Sequence, residues 1–179
     1  MIRLLLVDDQ NLIREGLKAL LDLEPDLQVV GDADTGHSAI QQVETLKPDV
    51  VLLDLCVPRI DGIATTQIIC DRFPKTQVLV LTTLDDEESV ANALKVGATG
   101  YLLKDLSPEE LVGAVRNVHK GYTQLSPGIL PKILSRVDGG AAPPALRLLP
   151  AARCWHLTLP NVAFLAHAQT QRCRRGLPN

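Results

Sequence analysis

From residue 2 to residue 118 the chain alternates short apolar runs with longer stretches of helical spacing. Ile2–Val7, Gln28–Gly31, Val50–Leu53, Val78–Leu81 and Tyr101–Leu103 are rich in Val, Leu and Ile, and each is too short for a globular helix. Their near-continuous apolar character, in place of strict alternation, predicts strands buried on both faces, as in a parallel sheet. Between the runs, residues recur on one helical face: Leu12, Ile13, Leu17, Leu20 and Leu21; then Ala39, Ile40 and Val43; then Ile63, Ile68 and Ile69. Val90, Ala93, Leu94 and Val96 continue the series, and Leu111, Ala114, Val115 and Val118 close it. Boundary signals agree with this reading. Gly97 follows one helical stretch, and Ser107-Pro108-Glu109-Glu110 opens the next with a cap, a proline at the first position and acids in the first turn. The order βαβαβαβαβα predicts right-handed crossovers and a doubly wound, five-stranded parallel α/β sheet.

In such sheets ligands bind beyond the carboxyl ends of the strands. Asp8 and Asp9 follow the first run, Asp54 the third, and Lys104 the fifth, while Thr82 ends the fourth. Three carboxylates brought together repel one another, and a hard divalent cation relieves that repulsion. Mg²⁺ suits such a place because it takes a few carboxylates, keeps several waters and leaves room for phosphate oxygens. Taken singly, each acid reads as a solvated loop-end carboxylate or a helix cap, and Asp9 could cap a helix beginning near Asn11. Together, at successive strand ends, the residues form a constellation that caps and loops do not explain.

Composition bounds the class. The 179 residues are 46% apolar, with 18 basic and 21 acidic side chains and a net charge of −3. This is enough apolar material for a core and excludes wholesale disorder. No apolar run approaches the ~18–20 residues of a membrane span, and the acids at Asp8 and Asp9 cut the first run too short for a signal peptide, so a cytoplasmic location and no membrane partner are expected. Cys56, Cys70, Cys154 and Cys173 lack metal-site spacing and read as buried or incidental thiols. The charge is unevenly placed. Residues 1–138 hold 13 Lys+Arg against all 21 Asp+Glu, a balance of −8, whereas residues 139–179 hold five arginines and no acid. The junction Asp138-Gly139-Gly140-Ala141-Ala142-Pro143-Pro144 has linker composition and marks a boundary. Asp85-Asp86-Glu87-Glu88 reads as an acidic helix start complementing the helix dipole, not as a second metal site.

Val7-Asp8-Asp9, the stretch Asp54-Leu55-Cys56-Val57-Pro58-Arg59-Ile60-Asp61-Gly62, Leu81-Thr82-Thr83, and Gly97-Ala98-Thr99-Gly100-Tyr101-Leu102-Leu103-Lys104-Asp105 stand in this order. In motif, order and spacing the chain resembles the receiver domain of two-component response regulators over roughly residues 1–122. The Tyr-Leu-Leu-Lys-Asp ending resembles the NarL/FixJ (LuxR-type) subfamily. The resemblance implies a flavodoxin-like receiver fold with strand order 2-1-3-4-5 and Asp54 as the acceptor of a phosphoryl group from a sensor histidine kinase. It further implies Mg²⁺ held by Asp9 and Asp54, by Asp8 largely through water, and by the backbone carbonyl of Cys56. Lys104 and Thr82 would contact phosphoryl oxygens, and Thr82 and Tyr101 would form a switch, although Tyr101 also reads as a half-buried aromatic at a strand end. Such a domain is a phosphoacceptor that catalyses only its own phosphorylation and dephosphorylation, and it can homodimerise when phosphorylated.

Members of that subfamily usually carry a C-terminal helix-turn-helix. Here residues 123–144 read as a connecting helix, around Ile129, Ile133 and Leu134, followed by a linker. Residues 145–179 read as a degenerate, mostly irregular tail. Pro143, Pro144, Pro150, Pro160 and Pro178 interrupt the region, and a proline inside a helix costs about 3 kcal/mol. No recognition helix is visible, and the acid-free composition points to a changed reading frame. Arg172, Arg174 and Arg175 offer at most nonspecific phosphate contacts. Three readings follow, in descending order: a phosphorylation-switched receiver acting through protein or dimer contacts, a DNA-binding transcriptional regulator with an unrecognised output segment, and a small-phosphate hydrolase working through an aspartyl-phosphate.

Overall fold

The computed structural model describes residues 1–58 and 61–130. The elements run β1 (Ile2–Val7), α1 (Asn11–Leu21), β2 (Leu27–Ala33), α2 (Gly36–Leu46), β3 (Val50–Leu53), α3 (Gly62–Arg72), β4 (Gln77–Thr82), α4 (Glu87–Lys95), β5 (Gly100–Leu103), α5 (Pro108–His119) and β6 (Gln124–Leu125). All pairings are parallel, in the order β2-β1-β3-β4-β5-β6. The expected doubly wound order 2-1-3-4-5 is therefore present, with one correction: among the described residues the sheet has six strands, not five. The sixth is two residues long and is held by its backbone to β5. The Ser126 amide donates to the Tyr101 carbonyl at 3.0 Å, and the Ser126 hydroxyl accepts from the Leu103 amide at 2.9 Å. A strand built from one polar and one apolar residue carries no periodic signal.

Alternate residues of each central strand serve opposite faces. Leu4, Leu6, Leu52, Leu79 and Leu81 pack beneath Leu21 of α1 and Leu111, Val115 and Val118 of α5. Leu5, Val7, Val51, Leu53 and Val78 pack beneath Ala39 and Val43 of α2 and Ile69 of α3. A third cluster joins Val80 and Tyr101 to Val90 and Ala93 of α4, with Leu55 and Ile129. Burial on both faces explains why the runs read as continuously apolar. Leu12 departs from its expected place on the buried face of α1: it is 65% exposed, while Ile13 and Leu21 are buried and Leu17 and Leu20 are partly buried. The inward stripe of α1 thus begins one residue later than the apolar spacing suggests.

Helix starts follow their caps. Ser107 and Glu110 form a reciprocal capping box around Pro108, and Thr35, Asp61 and Asp86 accept from amides in the first turns of α2, α3 and α4. The expected connecting helix begins within the described residues only at Ile129, which is buried; its remainder, the linker and the tail from residue 131 onward lie outside them.

The approach of α3 to the loop after β3 requires glycine at residue 62. A methyl group there would sit 2.4 Å from Leu55 Cα and 2.7 Å from the Leu55 carbonyl oxygen, which are backbone atoms with nowhere to go. Alanine gains up to about 1 kcal/mol in helix propensity, but overpacking costs about 1–3 kcal/mol. Gly62→Ala is therefore expected to lower the urea midpoint, despite the better helix former.

Candidate functional site

Strand register sets the site. Val7 of β1 pairs with Leu53 of β3, and Leu53 pairs with Val80 of β4. The residues after Val7 and Leu53, Asp8 and Asp54, therefore emerge side by side. β4 continues to Thr82, which pairs with Leu103, so Lys104 is the first residue past β5. The sheet hydrogen bonding runs one step beyond each strand: the Asp8 amide donates to Ala33 O at 3.1 Å, Asp54 to Val7 O at 2.8 Å and Lys104 to Thr82 O at 2.9 Å. Each functional side chain thus hangs from a backbone position fixed by the neighbouring strand.

Lys104 Nζ lies 2.6 Å from Asp8 Oδ2 and 2.9 Å from Asp54 Oδ2. Asp8 is 3%, Asp54 1% and Lys104 7% exposed, so this is a charge cluster removed from water. The remaining oxygens are also engaged: Asp8 Oδ1 accepts from the Gln10 amide and Asp54 Oδ1 from the Cys56 amide, at 2.9 and 3.2 Å. Burial pushes the Asp8 carboxyl above its ordinary value; the Lys104 charge pulls it back, and the neighbouring Asp54 charge raises it further. Ligand oxygens of Asp8, Asp9 and Asp54 all lie within 4.8 Å of one another. Asp9 does not cap α1, because Gln10 occupies the N-cap position and makes no side-chain cap bond. Three hard oxygen donors this close fit a small divalent cation.

Thr82 and Tyr101 are both fully buried and meet at one residue, Leu84. Thr82 Oγ1 accepts from the Leu84 amide at 3.4 Å, and the Tyr101 hydroxyl donates to the Leu84 carbonyl at 2.9 Å. Tyr101 is therefore turned inward, not half-buried at the strand end, and burial pushes its phenol well above the ordinary range. The neighbouring Thr83 hydroxyl is buried without a hydrogen-bond partner among the described residues. Asp61 caps α3 and stands apart from the carboxylate cluster. Burial pushes the Cys70 thiol up to about 11, which keeps this free cysteine protonated at neutral pH.

Two participants leave no motif in the sequence. Leu84 acts through its backbone, which has no side-chain signature. Arg14 donates to the Asp8 carbonyl at 2.7 Å from the first turn of α1, where a basic residue opposes the helix dipole and so carries only a faint signal.

The model of the response regulator receiver domain matches residues 4–116. The chain is 40% identical over 128 residues to the transcriptional regulatory protein DegU of Brevibacillus brevis, covering 72% of this chain and 54% of that protein. It is 37% identical over 139 residues to the nitrate/nitrite response regulator protein NarL of Escherichia coli (strain K12), covering 78% of this chain and 64% of that protein. The chain thus spans between about half and two thirds of the length of these relatives. A two-component response regulator of the LuxR family from Aurantimonas sp. SI85-9A1 superposes with a TM-score of 0.72 at 30% identity, over 77% of this chain and 99% of that one. Sheet order, acidic strand ends and these likenesses agree, and the chain belongs to the response regulator receiver family, with NarL- and LuxR-type relatives.

Proposed function

We propose that the chain accepts a phosphoryl group on Asp54 from the phosphohistidine of a sensor histidine kinase, and that this switches its contacts with protein partners or with a second copy of itself. The supporting observation is the buried Asp8–Lys104–Asp54 cluster with Asp9 beside it. Asp9, Asp54 and the Cys56 carbonyl would hold Mg²⁺ directly, with Asp8 largely through water. Bound there, the ion supplies positive charge against the incoming phosphoryl oxygens.

The chain's own residues do the rest. An Asp54 carboxylate oxygen attacks phosphorus, the phosphorus–nitrogen bond of the donor breaks, and its electron pair leaves with the imidazole. Lys104, already on Asp54 Oδ2, is placed to follow the new negative charge. Thr82 would donate its hydroxyl proton to a phosphoryl oxygen, drawing the start of the β4–α4 loop toward the site. Tyr101 holds the same loop through Leu84, which makes it the partner residue of the switch.

No helix among the described residues is long and apolar enough to cross a membrane, which suits a cytoplasmic receiver. We take residues 1–122 as the receiver, 123–144 as a connector and 145–179 as a separate segment that follows it. The relatives' names point to transcription. Phosphorylation-dependent, sequence-selective DNA binding would favour a regulator with its own output segment, and steady turnover of small phosphoesters would favour a hydrolase.

Incubation with an acyl phosphate and Mg²⁺, read by intact mass, is expected to add one phosphoryl group to the wild type and none to Asp54→Asn; an unmodified wild type would refute the proposal. Lys104→Met leaves two buried carboxylates facing each other and is expected to cost about 3–5 kcal/mol in urea unfolding without metal, part of which added Mg²⁺ restores by binding the folded state. Tyr101→Phe removes one hydrogen bond of roughly 1 kcal/mol. It should leave phosphorylation intact while speeding amide exchange at residues 84–86, measured by mass spectrometry.

A further inference from the structure

Arg14 lies on α1, outside every motif that carries the proposed chemistry, and makes three hydrogen bonds around the first acid of the site. Its Nη1 donates to the Asp8 carbonyl at 2.7 Å, its Nε to Asp32 Oδ2 at 3.0 Å and its Nη2 to Asn11 Oδ1 at 3.1 Å. The guanidinium side chain is 12% exposed. Asp32 belongs to β2 and is itself tied from behind, because Gln42 of α2 donates to its backbone carbonyl at 2.6 Å. A continuous chain of contacts therefore runs from α2 through the end of β2 and across α1 to the Asp8 peptide.

The Asp8 carbonyl belongs to the peptide unit that joins Asp8 to Asp9. That unit is planar, so fixing the direction of its carbonyl fixes where the Asp9 amide and Cα lie. The Asp8 amide is already held by Ala33 on β2 and the Asp8 carboxylate by the Gln10 amide and Lys104. The carbonyl is the remaining handle on this turn, and the planar fork of arginine can hold it and a carboxylate in fixed relation where a lysine cannot.

We propose that Arg14 is a positioning residue that sets the Asp8–Asp9 turn for cation binding, with Asp32 as its anchor. This rests on the reading of Asp8, Asp9 and Asp54 as a divalent-cation site. Arg14 touches neither the phosphoryl group nor the metal ligand atoms. It acts by removing alternative orientations of the turn, so that the acids meet the ion in one arrangement, as outer-shell partners do at other metal sites.

The test is Mn²⁺ binding to the full chain, read from the loss of the free-ion EPR signal, with Asp9→Asn as the site control. Arg14→Gln is expected to weaken Mn²⁺ about tenfold or more. Arg14→Lys, which keeps the charge but loses the fork, should stay nearer to Arg14→Gln than to the wild type. Asp32→Asn should weaken binding roughly threefold, and combining it with Arg14→Gln should add nothing further. That non-additivity is a result a general loss of stability would not produce. Full affinity in Arg14→Gln or in Arg14→Lys overturns the inference alone, while a wild type that binds no better than Asp9→Asn overturns the cation-site reading and the inference with it. If Arg14→Gln does not fold, Asp32→Asn decides: its carboxylate is 42% exposed and outside the core, and unchanged affinity there counts against the proposal.

Discussion

One ammonium group between two buried carboxylates is the constraint on which this molecule is arranged. Asp8 and Asp54 would repel each other so far from water, and Lys104 makes their juxtaposition tolerable. The three residues come from β1, β3 and β5, separated by 96 and 50 positions along the chain. They meet only if the strands pair in the correct register, since a slip of one residue would turn each side chain to the opposite face. Fold and site therefore depend on each other. The apolar faces set the register, and the register delivers the charges.

The same geometry links the charge cluster to the loop between β4 and α4. Thr82 belongs to the strand that borders Asp54, and Tyr101 to the strand that leads to Lys104, yet both end on the two sides of Leu84. A single residue thus accepts from the Tyr101 hydroxyl and donates to the Thr82 hydroxyl. On the proposed function, a phosphoryl oxygen that takes the Thr82 hydroxyl hydrogen bond would reorient the same hydroxyl that accepts from the Leu84 amide, and so couple the site to this loop.

Much of this is legible in the residues. Strands buried on both faces read as continuous Val, Leu and Ile, as in Val50–Leu53, and caps such as Ser107 and Asp61 announce their helices. The charged strand ends follow once the parallel order is granted. What escapes has physical causes. α3 itself is legible from Ile63, Ile68 and Ile69, but not the burial of Thr65 and Thr66: the Thr66 hydroxyl is satisfied by its own helix at Gly62, so the inward face is partly polar. β6 is a backbone event with no pattern. Leu84 and the Asp8 carbonyl are recognised through main-chain atoms, which one residue type displays as well as another.

The short sixth strand has a mechanical meaning. It lies along β5 with Leu125 opposite Tyr101, Ser126 bonded to the Tyr101 carbonyl, and Ile129 packed in the same apolar cluster as the tyrosine ring. The polypeptide therefore leaves the sheet from the flank of the very strand that bears Tyr101. Residues 124–129 are thus joined to β5 by backbone pairing and by apolar packing together, so a displacement of β5 would be felt in this segment directly, with no relay through the body of the domain.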